Sequence, residues 1–263
     1  MTFEGQVTIV TGAASGIGEA VARRFAAAGA TVILADIQGE AALRVAADLQ
    51  AAGGRAEGVS LDVADAASIE SVVAQVHADH GALDHAICCA GVASRHTIAQ
   101  MGAEQWRRVI DVNLTGVFLT LKAAAGVLRS GGSITAISSI AAEHIAYLSG
   151  VHYAASKSGL TGLVRQAAFE LGRHGIRVNA IAPGPMSNRM GGGRIDDDRL
   201  KRSARNLPLQ RVVEPADIAE ACAFLASPAA SAITGVYLPV DCGFLTARGA
   251  AYRDYFDLHG EPF

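Results

Sequence analysis

Seven short runs rich in valine, isoleucine and alanine, at 6–10, 31–35, 55–60, 84–88, 133–137, 176–181 and 236–240, are separated by longer alanine-rich stretches of helical period. Near-continuous apolar runs mark strands buried on both faces, which a parallel sheet covered by helices on either side provides. The helical stretches fall at 16–28, 39–51, 66–80, 103–129, with a break near Asn113, and 153–174. Alternation of the two patterns predicts a Rossmann-like, doubly wound α/β fold: a seven-stranded parallel sheet with right-handed crossovers. A chain of 263 residues with no internal repeat is read as one domain, 1–263. Low complexity is confined to Gly191, Gly192 and Gly193 followed by Asp196, Asp197 and Asp198. The segment 185–206 is therefore expected to be mobile, because glycines are costly to order and charges favour water.

The formal net charge of −3 leaves no basic footprint for nucleic acid or an anionic membrane, so the expected partner is a small molecule. Although 51% of the residues are hydrophobic, glycine and charge interrupt them before any run reaches the roughly 18 residues of a membrane span. Residues 1–6 carry no basic segment leading into an apolar one, and the cytoplasm is the expected location. Cys88, Cys89, Cys222 and Cys242 lack the paired spacing of a zinc or redox site. Cys88 and Cys89, adjacent on a strand, face opposite sides of it and are read as buried thiols. The eight histidines show no metal-ligand spacing, and no metal is expected.

The first strand runs into Thr11-Gly12-Ala13-Ala14-Ser15-Gly16-Ile17-Gly18 and on into a helix. Gly12, Gly16 and Gly18 allow a tight turn and close backbone approach, while the helix start at Ser15, Gly16 and Ile17 offers N–H groups and a positive dipole end to a pyrophosphate. In that setting the run reads as a dinucleotide grip, with a plain tight turn as the alternative. Asp36 ends the second strand eighteen residues after Gly18, placed to accept hydrogen bonds from the adenosine ribose. Ala13, Ala14, Ser15 and Ile37 supply no cation for a 2′-phosphate, so the expected cofactor is NAD. The competing reading of Asp36 is a solvated strand-end carboxylate. Asp62 and Val63 follow the third strand at the same edge, the carboxylate set to meet the adenine amino group and the valine to pack on the ring. Asp62 could equally cap the next helix.

Tyr153 and Lys157 lie four residues apart on a predicted helix and so share a face. Bringing a tyrosine from about 10 to near neutrality requires roughly 4 kcal/mol of phenolate stabilisation. A cation ~4 Å away at an effective dielectric of ~20 supplies about that much. The pair reads as an acid/base, against the alternative of a solvated helix face.

With these residues in view, the chain resembles the short-chain dehydrogenase/reductase family from about residue 7 to 243. Three motifs in order carry the likeness: Thr11 to Gly18, Tyr153 with Lys157, and the Pro183-Gly184 pair after the sixth strand. The resemblance implies a four-residue active site of Asn113, Ser139, Tyr153 and Lys157. Tyr153 would be the general acid/base, Lys157 would stabilise its phenolate and hold the nicotinamide ribose, and Ser139 would donate to the reacting oxygen. Asn113 would interrupt its helix and position a water that passes the proton outward from Lys157. Ser138 rivals Ser139, which sits nearer the family's usual spacing before the tyrosine. Backbone of Ala90, Gly91, Pro183, Gly184 and Met186 would line the cofactor. Cys88-Cys89 stands where the family has Asn-Asn, with Cys89 at a cofactor-contacting position, and Asn188 stands where it often has threonine.

The likeness places His144 and Tyr147 beside the reacting oxygen, and with Asn188 they are the candidate substrate contacts. The segment 243–263 holds five of the chain's thirteen Phe and Tyr residues. It is expected to pack on the chain's own core or reach a neighbouring subunit. Family members are commonly tetramers, and a homo-oligomer is expected, its helices approaching through Ala154, Ala155, Gly159, Gly162, Ala167 and Ala168. The implied activity is NAD-dependent interconversion of a secondary alcohol, a ring alcohol or diol among the candidates, with its ketone. A 3-oxoacyl thioester reductase and a non-catalytic nucleotide-sensing protein are the alternatives.

Overall fold

A computed structural model describes residues 1–145, 149–187 and 197–247. Its strands are β1 (Val7–Thr11), β2 (Thr31–Asp36), β3 (Arg55–Ser60), β4 (Leu83–Cys88), β5 (Leu128–Ile137), β6 (Arg177–Pro183) and β7 (Tyr237–Val240). All pair in parallel in one sheet, ordered β3-β2-β1-β4-β5-β6-β7. Among the described residues the helices are α1 (Gly16–Ala27), α2 (Gly39–Ala51), α3 (Ala66–His80), α4 (Ala103–Ile110), α5 (Gly116–Ala125), α6 (Gly150–Leu171), α7 (Asp197–Arg205), α8 (Pro215–Ala226) and α9 (Phe244–Ala247). The strand order reverses between β1 and β4, so the loops leaving their carboxyl ends flank a crevice, the usual ligand position in an open α/β sheet.

Two apolar cores form because side chains alternate across each strand. Val10, Val32 and Leu34 pack with Val21 and Phe25 of α1 and Ile218 and Cys222 of α8 on one face. Ile9, Ile33 and Ile134 pack with Val73 of α3, Val117 of α5 and Leu160 and Val164 of α6 on the other. Fully buried Leu160 and Val164, each worth about 2 kcal/mol of transfer free energy, anchor α6 to the sheet. The helix that carries Tyr153 is thereby fixed in position.

Three boundaries differ from the sequence expectation. The helical stretch 103–129 is two helices joined by a π-helical turn at Asp111–Thr115, and α5 stops at Ala125. Gly126 follows, and Leu128 already pairs with Leu83 of β4, so strand pairing takes the chain before the helix can continue. The helix read at 153–174 runs from Gly150 to Leu171 and closes in a 3₁₀ turn, Gly172–His174. Helix α8 was not anticipated, although its start is written in Glu214-Pro215-Ala216-Asp217. Proline suits a first helical position, and Asp217 accepts from the Glu214 N–H at 2.9 Å. No described helix is long and apolar enough to cross a membrane, and no three His, Cys, Asp or Glu side chains among the described residues gather as a metal site.

At the amino-terminal end of the sheet, Phe3 stacks on Phe25 at 4.6 Å and His85 meets Phe3 edge-on at 5.4 Å. The His85 ring nitrogens face Ser133 Oγ at 2.9 Å and Gln6 Oε1 at 3.0 Å. Burial, with the Arg177 charge adding to it, lowers His85 to about 4. Between pH 6.5 and 4 the unfolded chain then binds a proton that the folded chain refuses. Stability is expected to fall as pH drops through that window, by up to about 3 kcal/mol. Urea unfolding at pH 6.5 and 5, where most carboxylates are still ionised, checks this: the loss should vanish in His85→Asn, and an equal loss in that variant refutes the assignment.

Candidate active site

At the carboxyl end of β1 the chain turns where no side chain fits. Gly12 has φ +68, and a Cβ on it would lie 2.7 Å from both Cα and N of Ala90. A Cβ on Gly18 would lie 2.1 Å from the Gly12 carbonyl oxygen, so α1 packs directly on the turn that precedes it. Ser15 begins α1 in extended conformation without a side-chain cap, and the Cβ direction of Gly16 opens onto free space. The result is a helix start without a side-chain cap, set on a tight glycine turn, which fits a dinucleotide pyrophosphate. Thr11 ties the two loops of the crevice together: its Oγ1 accepts from Ala90 N at 3.3 Å and its carbonyl from Cys89 N at 3.2 Å.

Asp36 is buried at the end of β2, with Oδ2 accepting from Ala14 N at 3.0 Å and Oδ1 from Gln38 N at 2.9 Å. It is thus not a freely solvated carboxylate: it is braced against the glycine turn. Asp62 accepts from Ala64 N at 2.9 Å, and the cap of α3 is Asp65, which accepts from Ala67 N at 3.0 Å. Asp62 is therefore not the cap of that helix. Val63, the residue expected to pack on the adenine ring, is buried and lies close against Gly116 of α5.

Tyr153 and Lys157 lie one turn apart on α6, both buried, with the ammonium 5.6 Å from the centre of the phenol ring. Lys157 Nζ donates to the Ile137 carbonyl at 2.7 Å. The direction of the Tyr153 shift differs from the sequence argument, which counted charge and left out desolvation. Burial raises the phenol, and Ser139 offsets this only in part. Burial also lowers Lys157 to about 8, with Cys89 and Cys88 acting in the opposite sense.

The two adjacent serines divide the work. Ser138 Oγ donates to the Lys157 carbonyl at 3.1 Å, pinning α6 to the end of β5. Ser139 Oγ accepts from Ala141 N at 3.1 Å and lies against the Tyr153 phenol. Because that oxygen already accepts, its own hydrogen remains available to donate.

Asn113 sits in the π-helical turn, fully buried. Its Oδ1 accepts from Val92 N at 2.8 Å, and its Nδ2 donates to Val92 O at 2.9 Å and to Ser156 Oγ at 3.3 Å. This amide therefore braces the loop after β4, a function the sequence reading lacked. Gly91 is squeezed between two of the four residues: a Cβ there would lie 3.4 Å from Asn113 Oδ1 and 3.8 Å from Lys157 Nζ. Cys88 and Cys89 pack on opposite faces of the sheet, as their adjacency implies. Burial raises Cys88 to about 12 and Cys89 well above its usual value, so both are inert thiols.

At the end of β6, Gly184 donates to the Val240 carbonyl at 2.9 Å, and a Cβ on it would lie 2.5 Å from Asp241 Cα. Pro183 is buried as the last residue of the strand, and Met186 pairs with Val213 in an isolated bridge. His144 meets Phe244 of α9 edge-on at 5.1 Å, which brings the first aromatic of the terminal segment to the turn after Ser139. Tyr147, Asn188 and the aromatics Tyr252, Tyr255, Phe256 and Phe263 lie outside the described residues, as does the stretch 188–196 of the segment 185–206.

Residues 12–245 match the family profile described as enoyl-(acyl carrier protein) reductase. The structure superposes on a short-chain dehydrogenase/reductase from Serratia marcescens with a TM-score of 0.86 and 32% identity, covering 93% of this chain and 99% of that one. The chain belongs to the short-chain dehydrogenase/reductase family. It is an oxidoreductase of the alcohol-dehydrogenase type that uses a nicotinamide dinucleotide. A cis-4-hydroxycyclohexanecarboxylate dehydrogenase of Sinomonas cyclohexanicum is 40% identical over 92% of this chain and 97% of its own length. A blue fluorescent protein from a metagenomic library, solved in complex with NADPH, superposes with a TM-score of 0.85 at 33% identity, covering 93% of this chain and 99% of that one.

Two polar features of this short-chain dehydrogenase/reductase escaped the sequence reading. Ser94 Oγ lies 2.6 Å from His152 Nε2 and 3.1 Å from His96 Nδ1, and His152 Nδ1 accepts from Tyr153 N at 2.8 Å. This chain links the loop after β4 to the turn of α6 that presents Tyr153. Tyr237 of β7 donates to the Ser139 carbonyl at 2.5 Å. Neither pairing has a sequence signature, since the partners are 58 and 98 positions apart.

Proposed function

We propose that this chain is an NAD-dependent dehydrogenase that interconverts a secondary alcohol, a ring alcohol or diol, with its ketone. The observation that carries the reading is a chain of neighbours beside the glycine turn at the sheet's switch point: Asn113 and Lys157 against Gly91, Lys157 over the Tyr153 ring, and Ser139 at the Tyr153 phenol. The ring-alcohol dehydrogenase of Sinomonas supports the substrate class. A bound nicotinamide dinucleotide supplies hydride transfer. Gly12, Ser15, Gly16, Ile17 and Gly18 hold its pyrophosphate, Asp36 its adenosine ribose and Asp62 its adenine. Cys89, Ala90, Gly91, Pro183, Gly184 and Met186 line the path to the reacting end. Tyr153 exchanges the hydroxyl proton with the substrate oxygen, and Ser139 donates a hydrogen bond to that oxygen as charge grows there. Lys157 holds the nicotinamide ribose and favours the phenolate, while Asn113 keeps the loop after β4 in place and leads the proton outward by water. His144, Tyr147 and Asn188 are the proposed substrate contacts.

Preference for NAD rests on Asp36, whose braced carboxylate cannot swing away from a 2′-phosphate. The NADPH-bound neighbour makes this the assay to run first. Cyclohexanol, cis-4-hydroxycyclohexanecarboxylate and meso-2,3-butanediol are offered with NAD or NADP while NADH or NADPH absorbance is followed. Wild type should favour NAD at least ~10-fold, the scale of one like-charge repulsion, and Asp36→Ala should narrow that margin. Equal use of both cofactors by the wild type overturns the assignment. NADPH-only reduction of a 3-oxoacyl thioester would favour the acyl-reductase alternative.

The chain 1–263 is read as a single catalytic unit, working in the oxidative direction in the cytoplasm as a homotetramer. Phe169 stands 84% exposed on α6, with Val151 on the same helix and Trp106 and Phe118 on α4 and α5 also open. Large apolar side chains in that number favour burial against other copies. Light scattering at the mass of one chain would refute the oligomer.

A further inference from the structure

The register of the sheet places Cys88, Ala136, Ala180 and Tyr237 in one row across β4, β5, β6 and β7. In-register residues of a parallel sheet share a face, so the Tyr237 ring emerges beside the methyl of Ala180 and opposite no bulky neighbour. Strands are about 4.8 Å apart, and a tyrosine is long enough to cross β6 where only alanines stand. Its hydroxyl ends at the Ser139 carbonyl, 2.5 Å away, although Ser139 follows β5 and Tyr237 belongs to the edge strand two places over.

That contact completes a set of restraints on one residue. Ser138 N donates to Ile181 O at 2.7 Å, Ser138 Oγ is tied to α6, and Ser139 Oγ accepts from Ala141 N at 3.1 Å. The Ser139 carbonyl accepts from Ala142 N at 3.0 Å and from the Tyr237 hydroxyl at 2.5 Å, and Tyr237 is the only side chain that holds it among the described hydrogen bonds. Ser139 is extended, at φ −169 and ψ 154. We propose that Tyr237 is a positioning residue for the reaction: its hydroxyl anchors the Ser139 peptide from β7 and so sets the direction in which the Ser139 O–H reaches the oxygen beside Tyr153. Burial raises the Tyr237 phenol, with Glu143, Asp241 and Tyr153 adding to it, so it remains a donor throughout the working pH range. Tyr153 and Tyr237 thus have different tasks, proton exchange for the first and a permanent hydrogen bond for the second.

This inference rests on the dehydrogenase reading above, and the experiment separates the two. Tyr237→Phe keeps the ring and removes only the hydroxyl. Assayed with NAD and whichever of the three alcohols the wild type oxidises, it should lower kcat about 10-fold, the cost of a misdirected donor. The Kd for NADH should stay within twofold. In a Ser139→Ala background the same change should cost less than twofold, because the group it directs is gone. A full 10-fold loss in that background, an unchanged kcat in the single variant, or loss of NADH binding each overturns the positioning role. Absence of turnover in the wild type overturns the dehydrogenase reading and the inference with it.

Discussion

Tyr153→Phe is expected to lower kcat about 10³-fold while leaving the Kd for NADH within twofold. The magnitude is that of a positioned general acid/base, which contributes roughly 10² to 10⁴. The selectivity follows from the packing: the phenyl ring keeps its place on α6 beneath the Lys157 ammonium, and only the hydroxyl next to Ser139 disappears. Stability should change little, because Ser139 Oγ retains its bond from Ala141 N. The measurement pairs steady-state turnover with NADH fluorescence titration. Turnover within 10-fold of wild type removes Tyr153 from the chemistry; lost NADH binding shows that the phenol serves the site's architecture instead. The same variant tests the nucleotide-sensing alternative, which has no use for a hydroxyl at that point.

Gly12→Ala is expected to raise the Kd for NADH at least 100-fold. Two costs combine there. A non-glycine residue at φ +68 loses about 1 kcal/mol, and the added Cβ meets the Ala90 backbone at 2.7 Å, with no flexible side chain to give way. The turn after β1 must then part from the loop after β4, and the crevice between them loses its shape. Gly53→Ala separates the two effects, because Gly53 has φ +86 with open space in front of it. That control should lose about 1 kcal/mol in urea unfolding and bind NADH normally. A Gly12→Ala variant with wild-type affinity would mean that the close approach is not what forms the site.

Most of the strands were legible because burial on both faces leaves a local mark, a short apolar run that tertiary context does not rewrite. The glycine turn was legible for a related reason: Gly12 and Gly18 are required by contacts with backbone, and glycine has no substitute there. The junction near Asn113 was visible as a break, but not as a π-helical turn, since that geometry exists to turn one amide toward Val92 and Ser156. Helix α8 was overlooked even though its first turn carries a start signal. The preference for Ser139 over Ser138 was a matter of spacing in the sequence, and the hydrogen bond from Ser138 to the Lys157 carbonyl has no local signature.

By itself the sequence determined the parallel sheet and the crevice at its switch point, because both depend on residue type within a few positions of a strand or helix end; it offered Asp36, Tyr153 and Lys157 as site candidates from their placement, and Asn113 and Ser139 through the family resemblance. Tertiary structure alone decided where the protons lie and who holds whom. Burial raised Tyr153 when charge counting lowered it, and Ser94, His152 and Tyr237 found partners on distant segments. Desolvation and long-range hydrogen bonds depend on what the folded chain brings together in space, and no local pattern encodes that.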